Sequence, residues 1–232
     1  MAIKRATTGG KLKQPYRFID ISQPVTSTTA CFPGDVPFSR QITVSHKESN
    51  VINLTALTMS PHVGTHIDAP VHVRGTMESG EETVGALPLA PFFGPVTVLD
   101  LAPCDGAISA AMVAEKLTSG APIERLLIKT ANQIRYHVFE EKYAYFATDL
   151  VAWMAEQGIV LAGLDTPSVD HTQSKTLDAH HHLLKHNIVW LENLDLTDVV
   201  AGEYLLVAFP VKFMELEASP VRAVLLELES EE

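Results

Sequence analysis

Short apolar strands alternate with helical stretches along this chain, and that alternation restricts its fold more than any other feature. In the second half, residues 148–157 have helical composition, with Thr148 placed to cap the helix and Gly158 to end it. Residues 159–164 follow as a buried strand, 177–185 as a helix and 187–191 as the next strand. Two further apolar runs, 204–209 and 223–228, complete the set. The first half supplies strands at 18–22, 94–100 and 125–129, and a helix at 109–117 that Ser109 is suited to cap. Residues 41–45 and 53–59 alternate with period two, the pattern of half-buried strands. Neither an internal repeat nor a linker interrupts this order. The reading is a single α/β domain over residues 16–232 behind a flexible tail at 1–15.

Composition removes several classes of function. With 17 Lys and Arg against 28 Asp and Glu, the net charge is −11. Binding nucleic acid needs a basic face to neutralise phosphates, and an anionic membrane surface makes the same demand. No apolar run approaches the ~18 residues of a membrane span. The first residues are basic but lack the apolar stretch of a secretory signal, so the cytoplasm is the expected compartment. Cys31 and Cys104 are too few for a disulfide framework and are expected to be reduced.

The chemistry concentrates in residues 60–72. His62, His66, Asp68 and His72 fall there within eleven residues, all at even positions, so in an extended chain they share one face. Pro61, Gly64 and Pro70 argue against a helix. In a straight strand His62 and His66 would lie ~13 Å apart. Ligands of one zinc ion each sit ~2.0–2.2 Å from it. The chain must therefore turn between them, and Gly64-Thr65 is where it can. Two imidazoles and a carboxylate form a ligand set of catalytic type, with a position left for water.

A second group lies at Asp178, His180, His181 and His182, with His186 close by and Glu192 directly after an apolar strand. Successive helical residues point ~100° apart, so three consecutive histidines cannot face one site. Spacing alone does not choose among them. Other catalytic schemes lack their parts: there is no G-x-S-x-G elbow, no Walker A or G-x-G-x-x-G loop and no H-E-x-x-H.

The run HVGTHIDAPVH at 62–72 resembles the H-x-G-T-H-x-D-x-P-x-H signature of the metal-dependent cyclase family, which includes bacterial kynurenine formamidases and isatin hydrolases. Further ordered motifs extend the resemblance over residues 18–228: DISQP at 20–24, FPGD at 32–35, GLDTPS at 163–168, SKTLDAH at 174–180, Glu192 and ASPVRA at 218–223. The segments at 174–180 and 218–223 favour the formamidase branch.

The resemblance implies a swivelling β/β/α fold with a mixed sheet and flanking helices, in a homodimer or larger homo-oligomer. It implies two divalent metal ions, zinc first and manganese as the alternative. His62, His66 and Asp68 would hold one ion, Asp68 and His180 the other, with Glu192 shared. The family places a ligand histidine twelve residues before the ligand glutamate, which selects His180. His181, His182 and His186 are then surface residues. His72 would be the general acid and base. The activity implied is hydrolysis of an aryl formamide, N-formyl-L-kynurenine giving formate and L-kynurenine. A relative acting on another aryl or cyclic amide such as isatin is the alternative, and a non-catalytic metal-binding protein is the rival from another class. Phe32 stands where the formamidases commonly carry Trp against the substrate, so an aromatic face is kept without the indole N–H.

Overall fold

The computed structural model describes residues 16–76, 80–117 and 122–228. The tail expected at 1–15 lies outside them. In chain order the elements are β1 (Tyr16–Asp20), β2 (Ser39–Val44), α1 (His46–Ser49), β3 (Leu54–Thr58), β4 (His66–Asp68), β5 (Phe93–Asp100) and β6 (Gly106–Ile108). They continue with α2 (Ala110–Lys116), β7 (Arg125–Lys129), β8 (Ala144–Phe146), α3 (Thr148–Glu156), β9 (Leu161–Leu164), α4 (Asp178–Lys185), β10 (Val189–Glu192), β11 (Gly202–Val207), β12 (Ala218–Pro220) and β13 (Val224–Leu228).

Nine of these strands form one sheet in the order β1-β13-β11-β5-β7-β9-β10-β4-β12. The central four, β5, β7, β9 and β10, run parallel. Each parallel step is crossed by a helix, α2, α3 and α4 in turn, which is the connection parallel strands require. Antiparallel wings extend both edges. This is the α/β architecture with a mixed sheet and flanking helices that the sequence led us to expect.

The parallel strands are buried on both faces, so their side chains alternate between two cores. Leu126 and Ile128 of β7, Ala162 and Leu164 of β9 and Trp190 of β10 pack under the helices with Val113, Leu150, Met154 and Leu183. Leu127, Leu161 and Leu191 point the other way and meet Ile67 of β4, Leu206 of β11 and Leu225 of β13. Strands from both wings line this second core, so the sheet curls around it.

Helix α2 is capped as expected, its Ser109 Oγ accepting from Met112 N at 3.4 Å. Thr148 is not a cap. It is the first helical residue of α3, behind Ala147, which offers no side-chain acceptor. The neighbouring Asp149 instead turns to α2 and accepts from Ala110 N at 3.1 Å. Gly158 follows α3 with φ +77°, a left-handed stop.

The two alternating segments at 41–45 and 53–59 correct the reading of half-burial. They pair with each other as β2 and β3, in a ribbon outside the large sheet. Among the described residues neither face of this ribbon is covered: Ile42 is 55% exposed, Leu54 50% and Leu57 64%.

Candidate metal centre

The carboxyl ends of β7, β9 and β10 form the floor of a cavity of about 550 Å³, with Thr130, Asp165, Glu192 and Asn193 in its lining. Ligand sites in open α/β sheets sit at such strand ends. His62, His66, His72, His180 and Phe32 line the same cavity. Asp68 lies beneath them and is 1% exposed.

The Gly64 turn makes this possible. With φ +75° it reverses the chain between the two histidines, whose ring centroids close to 5.0 Å. A Cβ at this position would sit 2.8 Å from Val25 Cγ2. Thr65 locks the turn. Its hydroxyl donates to the Asn193 carbonyl at 2.5 Å and accepts from Gln23 N at 2.8 Å. Strand β4 then pairs with β10 in a register that sets His66 opposite Glu192.

Donor atoms converge from both sides. His62 Nδ1 and His66 Nε2 lie 3.0 and 3.5 Å from Asp68 Oδ1, and His66 Nε2 lies 3.3 Å from Glu192 Oε2. His180 Nε2 lies 3.6 Å from Asp68 Oδ2 and 3.5 Å from Glu192 Oε1. Ligands ~2.0–2.2 Å from one tetrahedral ion stand about 3.3–3.6 Å from each other. Each carboxylate thus presents one oxygen to His66 and the other to His180. His72 is more open, its side chain 29% exposed, with Nε2 4.0 Å from Asp68 Oδ2. Distance alone also groups His72 with His62 and Asp68.

The hydrogen bonds show what fits between these atoms. His66 Nδ1 donates to the Gly64 carbonyl at 2.9 Å, which turns Nε2 towards two carboxylates. His66 Nε2 and Asp68 Oδ1 are buried and, among the described residues, have no hydrogen-bond partner. A cation placed between this nitrogen and the carboxylate oxygens would satisfy all of them at once. The donor set of imidazoles and carboxylates suits a divalent metal such as zinc or manganese.

Three supporting residues escaped the sequence reading. Asp170 accepts from His180 Nδ1 at 2.6 Å, Glu217 from His62 Nε2 at 3.3 Å, and Asp68 Oδ2 from Trp190 Nε1 at 3.1 Å. Trp190 reads in sequence as strand core, and Glu217 lies 155 residues from its partner. A signal for Asp170 existed: Leu177, which precedes α4, cannot cap a helix, so an acceptor had to come from elsewhere. Of the remaining histidines, His181 is exposed while His182 and His186 are partly buried; His182 Nδ1 donates to the Asp178 carbonyl at 2.7 Å. None of the three lines the cavity. Phe32 does line it. The ring is 38% exposed and stands edge-on to Phe139 at 5.2 Å, outside the domain's core. Cys31 and Cys104 are free thiols.

Fold and site together define an α/β protein with a buried His–carboxylate centre at its strand ends. The family model Cyclase, described as "Putative cyclase", matches residues 19–171, and the chain belongs to that family. His180 and Glu192 lie beyond the matched stretch, but full-length relatives span them. Kynurenine formamidase of Bordetella pertussis is 39% identical over 212 residues, covering 91% of this chain and 99% of the relative. Kynurenine formamidase of Bacillus cereus is 38% identical over 208 residues, covering 90% and 96%. Among solved structures, isatin hydrolase A from Labrenzia aggregata superposes with a TM-score of 0.82 at 20% identity, over 95% of this chain and 97% of that one. The chain is a cyclase-family hydrolase, which sets aside the rival of a non-catalytic metal binder.

In the ion-free chain, burial pushes His180 and His62 towards the neutral form, but the carboxylates around them outweigh it. Asp170 and Asp68 raise His180 to about 10, and Asp68 and Glu217 raise His62 to about 10. The protons on these rings stabilise the ion-free fold fully below the ordinary imidazole value of 6.5, and that contribution is lost as pH rises through about 10. A metal needs the same nitrogens bare. Metal uptake at pH 7 is therefore expected to release protons, and apparent affinity to rise with pH from 6.5 towards 10. Calorimetric titration in buffers of different ionisation enthalpy gives the proton count, and a count of zero would contradict this linkage.

Proposed function

We propose that the chain hydrolyses an aryl formamide, N-formyl-L-kynurenine, to formate and L-kynurenine, with two divalent ions held at the His–carboxylate centre. The observation that carries this reading is the 39% identity to a kynurenine formamidase across nearly the whole of both chains. The isatin hydrolase likeness, at 20% identity, bears on the fold. His62, His66 and Asp68 would hold one ion, Asp68 and His180 the other, and Glu192 both; zinc is the first candidate and manganese the second. When bound, such ions supply Lewis acidity and lower the pKa of water.

The chain's own groups handle the proton. Burial holds the His72 imidazole below its ordinary value, against the pull of Asp68, so the ring is neutral at pH 7 and can accept. Water attacks the formyl carbon and gives its proton to His72. The C–N bond breaks, and His72 passes that proton to the departing aniline nitrogen, because an anilide anion is a poor leaving group. Phe32 and Phe139 offer the aryl ring an apolar wall above the cluster. Turnover of N-formyl-L-kynurenine, followed by absorbance of the freed aromatic amine, tests the whole reading. In the same assay His72→Ala is expected to keep its metals and lose roughly 10²–10⁴-fold in kcat. A metal-replete His72→Ala protein with normal turnover removes His72 from the mechanism, and one that has lost metal makes it a ligand.

Phe32 contacts the substrate ring in ground and transition states alike, so its loss should act mainly on binding. Phe32→Ala is expected to raise KM for aryl formamides by the equivalent of ~0.5–1.5 kcal/mol beyond lost area, with kcat little changed. Equal losses on an aryl and a small aliphatic formamide would sever Phe32 from the substrate.

The uncovered β2–β3 ribbon supports a homodimer or larger homo-oligomer. A two-stranded ribbon with no buried face is marginal in water. Here it carries Ile42, Leu54 and Leu57 outward on the segment that leads into His62. A second copy of the chain would cover it. Leu57→Lys should shift the protein to monomer in sedimentation; a wild-type monomer at micromolar concentration refutes the pairing.

A further inference from the structure

Helix α4 has an unusual start. Leu177 takes the left-handed conformation (φ 48°, ψ 51°) and provides no side-chain cap. The open backbone donors of the first turn are met from outside the helix. Asp170 Oδ1 accepts from Ala179 N at 2.9 Å, and Asp170 Oδ2 accepts from His180 N at 3.0 Å. The same Oδ2 also takes His180 Nδ1 at 2.6 Å, the shortest contact of that ring. Asp170 is itself held, its N–H donating to Ser168 Oγ at 3.2 Å and its carbonyl accepting from Tyr143 Oη at 3.0 Å.

We infer that Asp170 is a positioning residue with two linked tasks: it caps α4 across a gap in sequence, and it fixes His180 so that Nε2 faces Asp68 and Glu192. The inference rests on the two-ion reading above and extends it to a residue that touches neither ion nor substrate. The geometry ties the tasks together. A carboxylate that accepts from the backbone N–H of His180 sits beside that residue's own ring, and an acceptor at Nδ1 makes Nε2 the nitrogen that an ion would meet on displacing its proton. His180 therefore reaches the two carboxylates in one tautomer and one orientation. His62 is held by a different acceptor, Glu217, at the longer distance of 3.3 Å, and His66 by a backbone carbonyl. Removing Asp170 should consequently affect one ion and spare the other. A helix cap that did nothing more would cost stability without that asymmetry.

The test is a zinc titration of metal-free protein against a chromophoric chelator, for wild type, Asp170→Asn, His180→Ala and the double variant. No substrate is involved, so its outcome is separate from that of the formamide assay. Wild type should take up two ions. Asp170→Asn should lose about 10–100-fold in affinity for one of them, the usual worth of an outer-sphere partner, and keep the other. In the His180→Ala background Asp170→Asn should still lower the melting temperature of the metal-free protein, but change zinc affinity no further. Uptake of a single ion by wild type, equal loss at both ions, or a fall in stability with both affinities intact would each overturn the inference. A measurement on wild type covers the case where Asp170→Asn does not fold. In zinc-loaded protein with 15N-labelled histidine, His180 should show a protonated, hydrogen-bonded Nδ1, and a bare Nδ1 there would overturn it equally.

Discussion

Two buried carboxylates govern this structure. Asp68 and Glu192 are 1% and 3% exposed, and burying an ion costs several kcal/mol unless it is paired and hydrogen-bonded. Part of that cost is offset by the protein. Trp190 donates to Asp68, and the backbone N–H of Val169 donates to Glu192 Oε1 at 2.8 Å. Contacts with His180 and His62 hold the Asp68 carboxyl well below its usual range against the effect of burial. What hydrogen bonds leave uncompensated is the inward side, where His66 Nε2 and Asp68 Oδ1 have no hydrogen-bond partner among the described residues. The packing of β4 against β10, the Gly64 turn and the placement of α4 make sense as a frame that holds these groups together.

The frame also explains which parts of the site could be read in the sequence. His62, His66, Asp68 and His72 are close in sequence, and a two-residue spacing with a Gly-bounded turn states a local geometry. That much physics is short-range. His180 and Glu192 were selected by resemblance, because three neighbouring histidines look alike until the phase of α4 is known. The helix turns His180 inward with Ala179 and Leu183, while His181 faces solvent. Asp170, Glu217 and Trp190 act through contacts with no sequence period at all.

The fold divides in the same way. Long apolar runs announced β5, β7, β9 and β10, since strands buried on both faces need continuous hydrophobicity. The three-residue strands β4, β6, β8 and β12 are too short for period two to register, and β4 is polar at two of its three positions. The β2–β3 ribbon shows the converse limit. Its alternation is real, but alternation reports a preferred face and not whether this chain supplies the surface that covers it. The end of α3 was legible because Gly158 has a specific backbone task, whereas its start was not, because Thr148 competes with Ala147 for a position that only the fold decides.

Chemistry and recognition are carried by different kinds of structure here. His66 and Asp68 stand on β4, Glu192 on β10 and His180 on α4, with His62 in the turn that leads into β4, and these elements are tied to both cores. The aromatic wall, Phe32 and Phe139, rests on two connecting segments, joined where Ala30 N donates to the Tyr136 carbonyl at 2.8 Å. The second of these segments is anchored at its base by Asp165, which accepts from Thr130 N, Thr130 Oγ1 and Ala131 N at 2.6–3.1 Å. It is anchored at its far end by Tyr143 on the Asp170 carbonyl. The loop is thus tied down at both ends, where it meets the His–carboxylate cluster. Substitution at the Tyr143 anchor would disturb Asp170, the group that holds His180, whereas the Asp165 anchor is separate from it.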